Sequence, residues 1–291
     1  MAFTYAQLKS YAIPEAVQTV TSRDCILYAL SVGLGNEPTD PRELRYVYEQ
    51  DLAVLPMMAS VIAGPGFWMR REDTGIDWRR VLHGEQSITI HRPIPIDVPL
   101  TGRSRVVGIN DKGRDKGAIV YIRREVCDPD GEPIFTIDQT NFCRGDGGCG
   151  GGDPAPFPPQ PVPERDPDLV CDLAIPEGAA LLYRLNGDYN PLHADPEVAR
   201  AAGFPRPILH GLCTFGYAGH AVLRTACKLD GRRVERMAAR FTAPVFPGET
   251  VRTEVWEVET GTLAFRARVT DRNAVVLDHG VVTLESAATD D

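Results

Sequence analysis

The sequence contains no apolar run near the roughly 18 residues of a membrane span. Its first residues, MAFTYAQLKSYAIPE, hold no leader-like apolar core. Its last residues, SAATDD, contain no address of the S-K-L kind. The expected compartment is the cytoplasm. Cysteine is neither dense nor patterned: Cys25, Cys127, Cys143, Cys149, Cys171, Cys213 and Cys227 are odd in number and include no C-x-x-C. That usage excludes a disulfide scaffold and points to free thiols in a reducing compartment. Cys143 and Cys149 flank a glycine run without a nearby histidine, so no metal site is expected there. Clustered basic charge is also missing. With 31 Lys and Arg against 40 Asp and Glu, the net charge is -9, which argues against a nucleic-acid partner. The pairs Arg70-Arg71 and Arg79-Arg80 read as solvated faces with room for the phosphates of a cofactor-sized anion. GDGGCGGG lacks the G-K-[ST] ending and the strand–turn–helix context of a phosphate loop.

What is present describes a globular chain with room for two domains: 291 residues, 43% hydrophobic and 24% charged. Thr21, Ser22 and Asp24 cap an apolar segment that ends at Gly33 and Gly35, which predicts a short helix. Residues 54–64, VLPMMASVIAG, are apolar all round behind Pro56 and predict a buried helix. From 87 to 142 the period changes to two. Val- and Ile-rich runs at 103–109, 117–124 and 133–140 are separated by turn chemistry at Asp111-Lys112-Gly113 and Asp128-Pro129-Asp130-Gly131, which predicts an antiparallel sheet. A Gly-rich and then Pro-rich stretch from Arg144 to Glu164 cannot build a core and reads as a linker. The second half then repeats the first. An apolar segment at 214–226 is followed by strand-like runs at 238–247, 251–258, 262–270 and 274–285, in the order of those before the linker. The expected fold class is therefore α+β, each repeat a long helix wrapped by an antiparallel sheet, in domains 1–152 and 166–291 joined by a linker at 153–165.

The chemistry concentrates in the stretch Tyr183 to His220, which carries Asp188, Asn190 and His193 within six residues. Gly187 permits a sharp turn before the acid. Pro191 holds Asn190 extended and suits the first turn of a helix running to Ala202. Asp188 and His193 would then stand together at a loop–helix junction, suited to general acid–base work on a water molecule. Gly211 opens the next apolar helix, where a backbone N–H sits at the positive end of the helix dipole and can stabilise a developing oxyanion. Acid, base and oxyanion donor together fit chemistry at the β-carbon of a carbonyl compound. Set against this, N-G-D-Y-N-P is also ordinary turn chemistry, with His193 then a surface histidine on the following helix.

The length of the pattern decides between these readings. G-D-Y-N-P-L-H-A-D-P-E-V-A-R-A-A-G-F-P-R-P-I-L-H-G-L resembles the signature of the (R)-specific enoyl-CoA hydratases, or hydratase 2, among the MaoC-like dehydratases of the hot-dog fold. R-D-C-I-L-Y-A-L-S-V-G-L-G (23–35), V-L-P (54–56), L-H-G-E-Q (82–86), D-K-G-R-D-K-G-A (111–118) and R-G-D-G-G-C-G-G (144–151) extend the resemblance over almost the whole chain, which is similar to the hydratase unit of the peroxisomal multifunctional β-oxidation enzyme.

The resemblance implies a double hot-dog fold whose first repeat makes room for the acyl chain and whose second repeat is catalytic. The first half accordingly has no G-D-x-N-P-x-H. It implies Asp188 and His193 acting on water and the α-carbon proton, Asn190 holding the water or orienting its partners, and the Gly211 N–H binding the thioester oxygen. Gly187, His210 and Leu212 are expected at the substrate. The reaction implied is reversible hydration of a trans-2-enoyl-CoA to the (3R)-3-hydroxyacyl-CoA. No metal or redox cofactor is expected, coenzyme A arriving as part of the substrate, and a homodimer is implied. His83-Gly84 copies His210-Gly211 in spelling but has no acid–base motif before it, so no catalytic role is expected. Phe67 and Trp68 are expected either to line and shorten the acyl site or to pack in the core. Rival readings are a hot-dog thioesterase, marked by thiol release from a saturated acyl-CoA, and a non-catalytic acyl-CoA-binding subunit.

Overall fold

The computed structural model describes residues 3–156 and 160–285. In the first half a small helix α1 (Tyr5–Lys9) precedes strand β1 (Ala16–Thr19), α2 (Ser22–Ser31) and α3 (Pro41–Val47). Strands β2 (Val81–Ile90), β3 (Pro99–Asp111), β4 (Ala118–Cys127) and β5 (Pro133–Cys143) follow. The second half runs β6 (Leu169–Ala174), α4 (Ala179–Tyr183), α5 (Pro196–Ala201), α6 (Gly211–Ala226), β7 (Val234–Phe241), β8 (Thr250–Glu259), β9 (Thr262–Val269) and β10 (Ala274–Leu284). The α2 cap is the one the sequence spells: the Thr21 side chain accepts from the Asp24 N–H and Asp24 reaches back to the Thr21 N–H.

All ten strands join one antiparallel sheet in the order β1-β3-β4-β5-β2-β7-β10-β9-β8-β6. Read inward from either edge, the two halves use the same order, so the repeat seen in sequence is a repeat in topology. The seam is β2 against β7, from Glu85 opposite Arg240 to Thr89 opposite Arg236. An ion pair crosses it, Arg240 Nη2 to Glu85 Oε1 at 2.7 Å. Strands β1 and β6 at the two edges are short, and neither was predicted. Their four and six residues carry too little alternation to be legible.

The two halves differ in what their sheets enclose. In the second, α6 is buried from Cys213 to Leu223. It packs on β6, β8 and on the segment Pro56–Val61 of the first half. Glycines let the halves approach: a Cβ at Gly216 would lie 2.5 Å from Val32, and one at Gly219 2.6 Å from Met57. The first half has no such helix, which corrects the expectation at 54–64. Pro56–Val61 is a six-residue 3-10 segment, buried from Pro56 to Ser60. It ends because Ala63 adopts a left-handed conformation (φ 47°) and Pro65 disfavours helical geometry at the residue before it.

Two more expectations change. The helix expected from Pro191 to Ala202 is broken into a 3-10 turn, Pro191–His193, and α5. Pro196 keeps Asp195 extended, and the Asp195 side chain caps the restarted helix at the Glu197 N–H (2.8 Å). The Gly-rich run after β5 is packed, although its composition reads as linker. Asp111 accepts from the N–H groups of Gly113, Gly148 and Gly150 at 2.8–2.9 Å, and the Cys149 carbonyl accepts from the Tyr5 N–H. The run is an Asp-anchored clasp over the β3–β4 turn.

Candidate active site

Tyr183 ends α4, and the chain then turns sharply at Gly187, whose φ of 111° suits glycine. Asn186 ties this turn to α2 by donating from Nδ2 to Ser31 Oγ (3.0 Å). Beyond the turn, Asp188 Oδ1 accepts from the Asn190 N–H (3.1 Å), and Asn190 Oδ1 accepts from the Leu192 N–H (3.1 Å). These Asx turns hold the acid exposed on one side of the loop while His193 turns inward and is 8% exposed.

His193 Nδ1 lies 2.9 Å from the Ile208 carbonyl oxygen. A carbonyl only accepts, so Nδ1 carries the proton and Nε2 the lone pair. His210, 1% exposed, stacks on His193 with ring centroids 3.8 Å apart and 29° between planes. Its Nε2–H donates to the Asp188 carbonyl (3.1 Å), and its Nδ1 is buried with no protein partner. The acidic loop is thus fastened to the residue that begins α6. Both imidazoles titrate below their ordinary value. Burial is the main cause at His193, opposed by the Ile208 hydrogen bond and Asp188. At His210 burial and then the His193 charge bring the pKa to about 4. Both rings are therefore neutral near pH 7, which leaves His193 Nε2 as a base.

The first turn of α6 completes the group. The Cys213 and Thr214 N–H groups bond the His210 carbonyl, whereas those of Gly211 and Leu212 have no acceptor among the described residues. A Cβ at Gly211 would stand 3.3 Å from the Phe241 ring, on the surface where its N–H emerges. Leu212 is half-buried against the core. A cavity of about 190 Å3 lined by Glu177, Leu181, His193, Ala194, Arg206 and Pro207 opens beside the imidazole.

Among the described residues, Asp188, His193 and His210 are the one trio offering ligand-type atoms within 4.8 Å of one another. Their geometry suits a metal poorly. Nearly parallel rings point their in-plane lone pairs side by side, and one nitrogen of each ring already donates to a carbonyl.

The structure brings Asp188, Asn190, His193, His210, Gly211 and Leu212 into one neighbourhood, with Gly187 at the turn that delivers them. Phe67 and Trp68 lie elsewhere. Trp68 stacks on Tyr11 (5.4 Å) inside a satellite core that contains none of these residues, and half-exposed Phe67 meets Trp78 edge-on (6.1 Å). The basic pairs meet around Trp78, with Arg70 and Arg79 over its ring at 4.9 and 4.6 Å. Arg70, Arg71 and Arg79 line a cleft of about 600 Å3 whose charge Glu72, Asp77 and Asp146 balance. His83, for which the sequence gives no catalytic expectation, also stands near this group. Its ring is 4.9 Å from Phe241 and feels the Asp188 charge, while burial holds its pKa at about 4. The repeated His-Gly spelling was its only signal.

Comparison with known proteins places the chain in a family. Residues 18–145 match the MFE-2 hydratase 2 N-terminal domain, and residues 159–278 the MaoC like domain. "Enoyl-CoA hydratase 2, peroxisomal" of Arabidopsis thaliana is 39% identical over 93% of this chain and 92% of its own. The chain belongs to the hydratase 2 family of MaoC-like dehydratases. A second family member, "3-hydroxyacyl-thioester dehydratase Y" of Mycobacterium tuberculosis, is 41% identical over 90% of this chain and 92% of its own. The crystal structure of a MaoC-like dehydratase from Phytophthora capsici superposes with a TM-score of 0.86 at 31% identity, covering 97% of this chain and 99% of that one. A Mycobacterium tuberculosis protein described as having a double hotdog fold shares the architecture (TM-score 0.58, 19% identity, 94% of each chain). The fold is thus the expected double hot-dog, with its first central helix shortened. No helix among the described residues is long and apolar enough to cross a membrane.

Proposed function

We propose that this protein hydrates trans-2-enoyl-CoA reversibly to the (3R)-3-hydroxyacyl-CoA. The observation that supports this most is the meeting of three groups: the Asp188 carboxylate, which keeps acceptor capacity beyond the Asn190 N–H, the lone pair of His193 Nε2 and the Gly211 N–H at the start of α6. In this reading Asp188 and His193 hold one water molecule. His193 takes a proton from it, and the water oxygen bonds to the β-carbon. The C=C pair shifts onto the thioester oxygen, where the Gly211 N–H and the α6 dipole stabilise the enolate. Proton return to the α-carbon completes the addition. Asn190 keeps the turn that presents Asp188, and His210 holds the loop on α6. No metal or redox cofactor takes part, and coenzyme A belongs to the substrate. The setting we infer is a reducing one, the cytoplasm by default, since all seven cysteines are free. A homodimer is the assembly proposed.

The test follows the enoyl-thioester absorbance with crotonyl-CoA and a longer 2-enoyl-CoA, for the wild type, Asp188→Ala and His193→Ala. Loss of the band in the wild type alone is expected, without free thiol, insensitive to a chelator, and giving a product that an (R)-specific dehydrogenase oxidises. Thiol release would turn the reading to a thioesterase. Activity surviving both substitutions would move the site.

A further inference from the structure

A second piece of unused chemistry is buried in the first half. Arg124 lies on β4, 7% exposed, on the face that carries buried Ile122 and Val126. Its Nη2 donates to the carbonyl oxygens of Ala59 (3.3 Å) and Ser60 (3.0 Å), while its Nε–H has no acceptor. Nη1 lies over Gly64, where a Cβ would come within 2.6 Å of it, and makes no hydrogen bond among the described residues. The acids on adjoining positions are engaged elsewhere, Glu125 with Arg105 and Asp138 with Arg123. Burial alone acts on the guanidinium and lowers its pKa to about 10, so it stays charged at neutral pH. A buried cation that meets only carbonyls is unfavourable until an anion joins it.

Its position says where that anion comes from. The sheet of the second half encloses α6. The matching place in the first half holds the shorter segment Pro56–Val61, and Arg124 is bonded to the end of that segment. A line of contacts joins it to the site. The Tyr183 ring is 5.1 Å from His210 and 6.1 Å from Tyr28, and the Tyr28 hydroxyl lies beside Ser60, whose carbonyl Arg124 holds. The Tyr28 and Tyr183 hydroxyls are themselves buried without a fully formed hydrogen bond. The line therefore leads from the thioester end of the site, past unspent polar hydrogens, to a lone cation.

We propose that Arg124 selects 2-enoyl thioesters whose acyl group ends in a carboxylate, which its unspent N–H groups would receive. This rests on the hydratase reading above. A methyl-ended chain reaching the same place leaves the cation unpaired, so discrimination between the two ends should be strong.

The experiment measures kcat/KM for pairs of trans-2-enoyl-CoA of equal length, one ending in methyl and one in carboxylate, over a series of lengths. The expected result is at least a tenfold preference for the carboxylate at one length. Arg124→Met should remove it through KM, and Arg124→Lys should keep part of it. A purely structural Arg124 would lower both substrates alike and leave their ratio unchanged, which overturns the proposal. So does a wild type that prefers methyl ends at every length. Should the variants not fold, wild-type crotonyl-CoA hydration is challenged with saturated acyl-CoA inhibitors ending in methyl or carboxylate. Tighter inhibition by the carboxylate supports the proposal, and equal or weaker inhibition overturns it. A wild type inert toward crotonyl-CoA and every other enoyl-CoA would instead overturn the hydratase reading beneath it.

Discussion

The two halves share five strands in the same order and differ in what those strands enclose. In the second, α6 fills the sheet and begins with the unspent Gly211 N–H. In the first, a six-residue 3-10 segment and a buried guanidinium occupy the matching place. A long helix supplies both a packed core and a dipole end for chemistry. The short segment adds buried residues to the core but carries no long-helix end. Duplication of one scaffold thus yields one half equipped with the Asp188–His193 cluster and one without it, and the seam of β2 on β7 sets them side by side.

The largest effects should come from the equipped half. Asp188→Ala or His193→Ala should lower kcat about 10²–10⁴-fold, the range for loss of a general acid or base, while His83→Ala should cost less than about tenfold on the same scale. Equal losses would erase the asymmetry between the halves. Next is the joint where they interlock. Gly216→Ala drives a Cβ to 2.5 Å from Val32, whose short branched side chain cannot swing aside. It should destabilise by about 1–3 kcal/mol in denaturant melts, and an unchanged midpoint would mean that the halves are not locked there.

The Gly-rich clasp of the first half offers a smaller effect. Asp111→Ala removes the acceptor of three backbone N–H groups and should cost about 1–2 kcal/mol. Faster amide exchange at Gly148 and Gly150 would localise the loss.

The gentlest test is pH. His193, His210 and His83 are held below the ordinary imidazole value of 6.5, the last two at about 4. Each binds fewer protons folded than unfolded. Their stabilising contribution is therefore fully present above about pH 6.5 and is lost as the pH falls toward about 4. Tm should decline across that window, and His210→Gln should make the decline shallower.

Much of this was legible in the chain. The α2 cap, eight of the strands, their repetition and the cluster Asp188, Asn190, His193 all depend on near neighbours in sequence, through period-two alternation, capping chemistry and turn residues. The shortened first helix was legible only in part. Apolar residues on every side announced burial at 54–64, but periodicity cannot measure helix length, and the stop lies in the left-handed Ala63 ahead of Pro65. The break at Asp195 was written in D-P and outweighed by the run of helix formers around it.

Local chemistry, then, determined which residues turn, which alternate, and which loop bears an acid and an imidazole five residues apart. Tertiary structure alone decided the rest. It stacked His210 on His193, brought His83 to Phe241 from the other half, put Trp68 into a separate core and left Phe67 half-exposed beside Trp78. It also left Arg124 buried without an anion. These relations join residues far apart in the chain. They are set by strand register and by how much volume each sheet must fill, and neither quantity is carried by any short stretch of sequence.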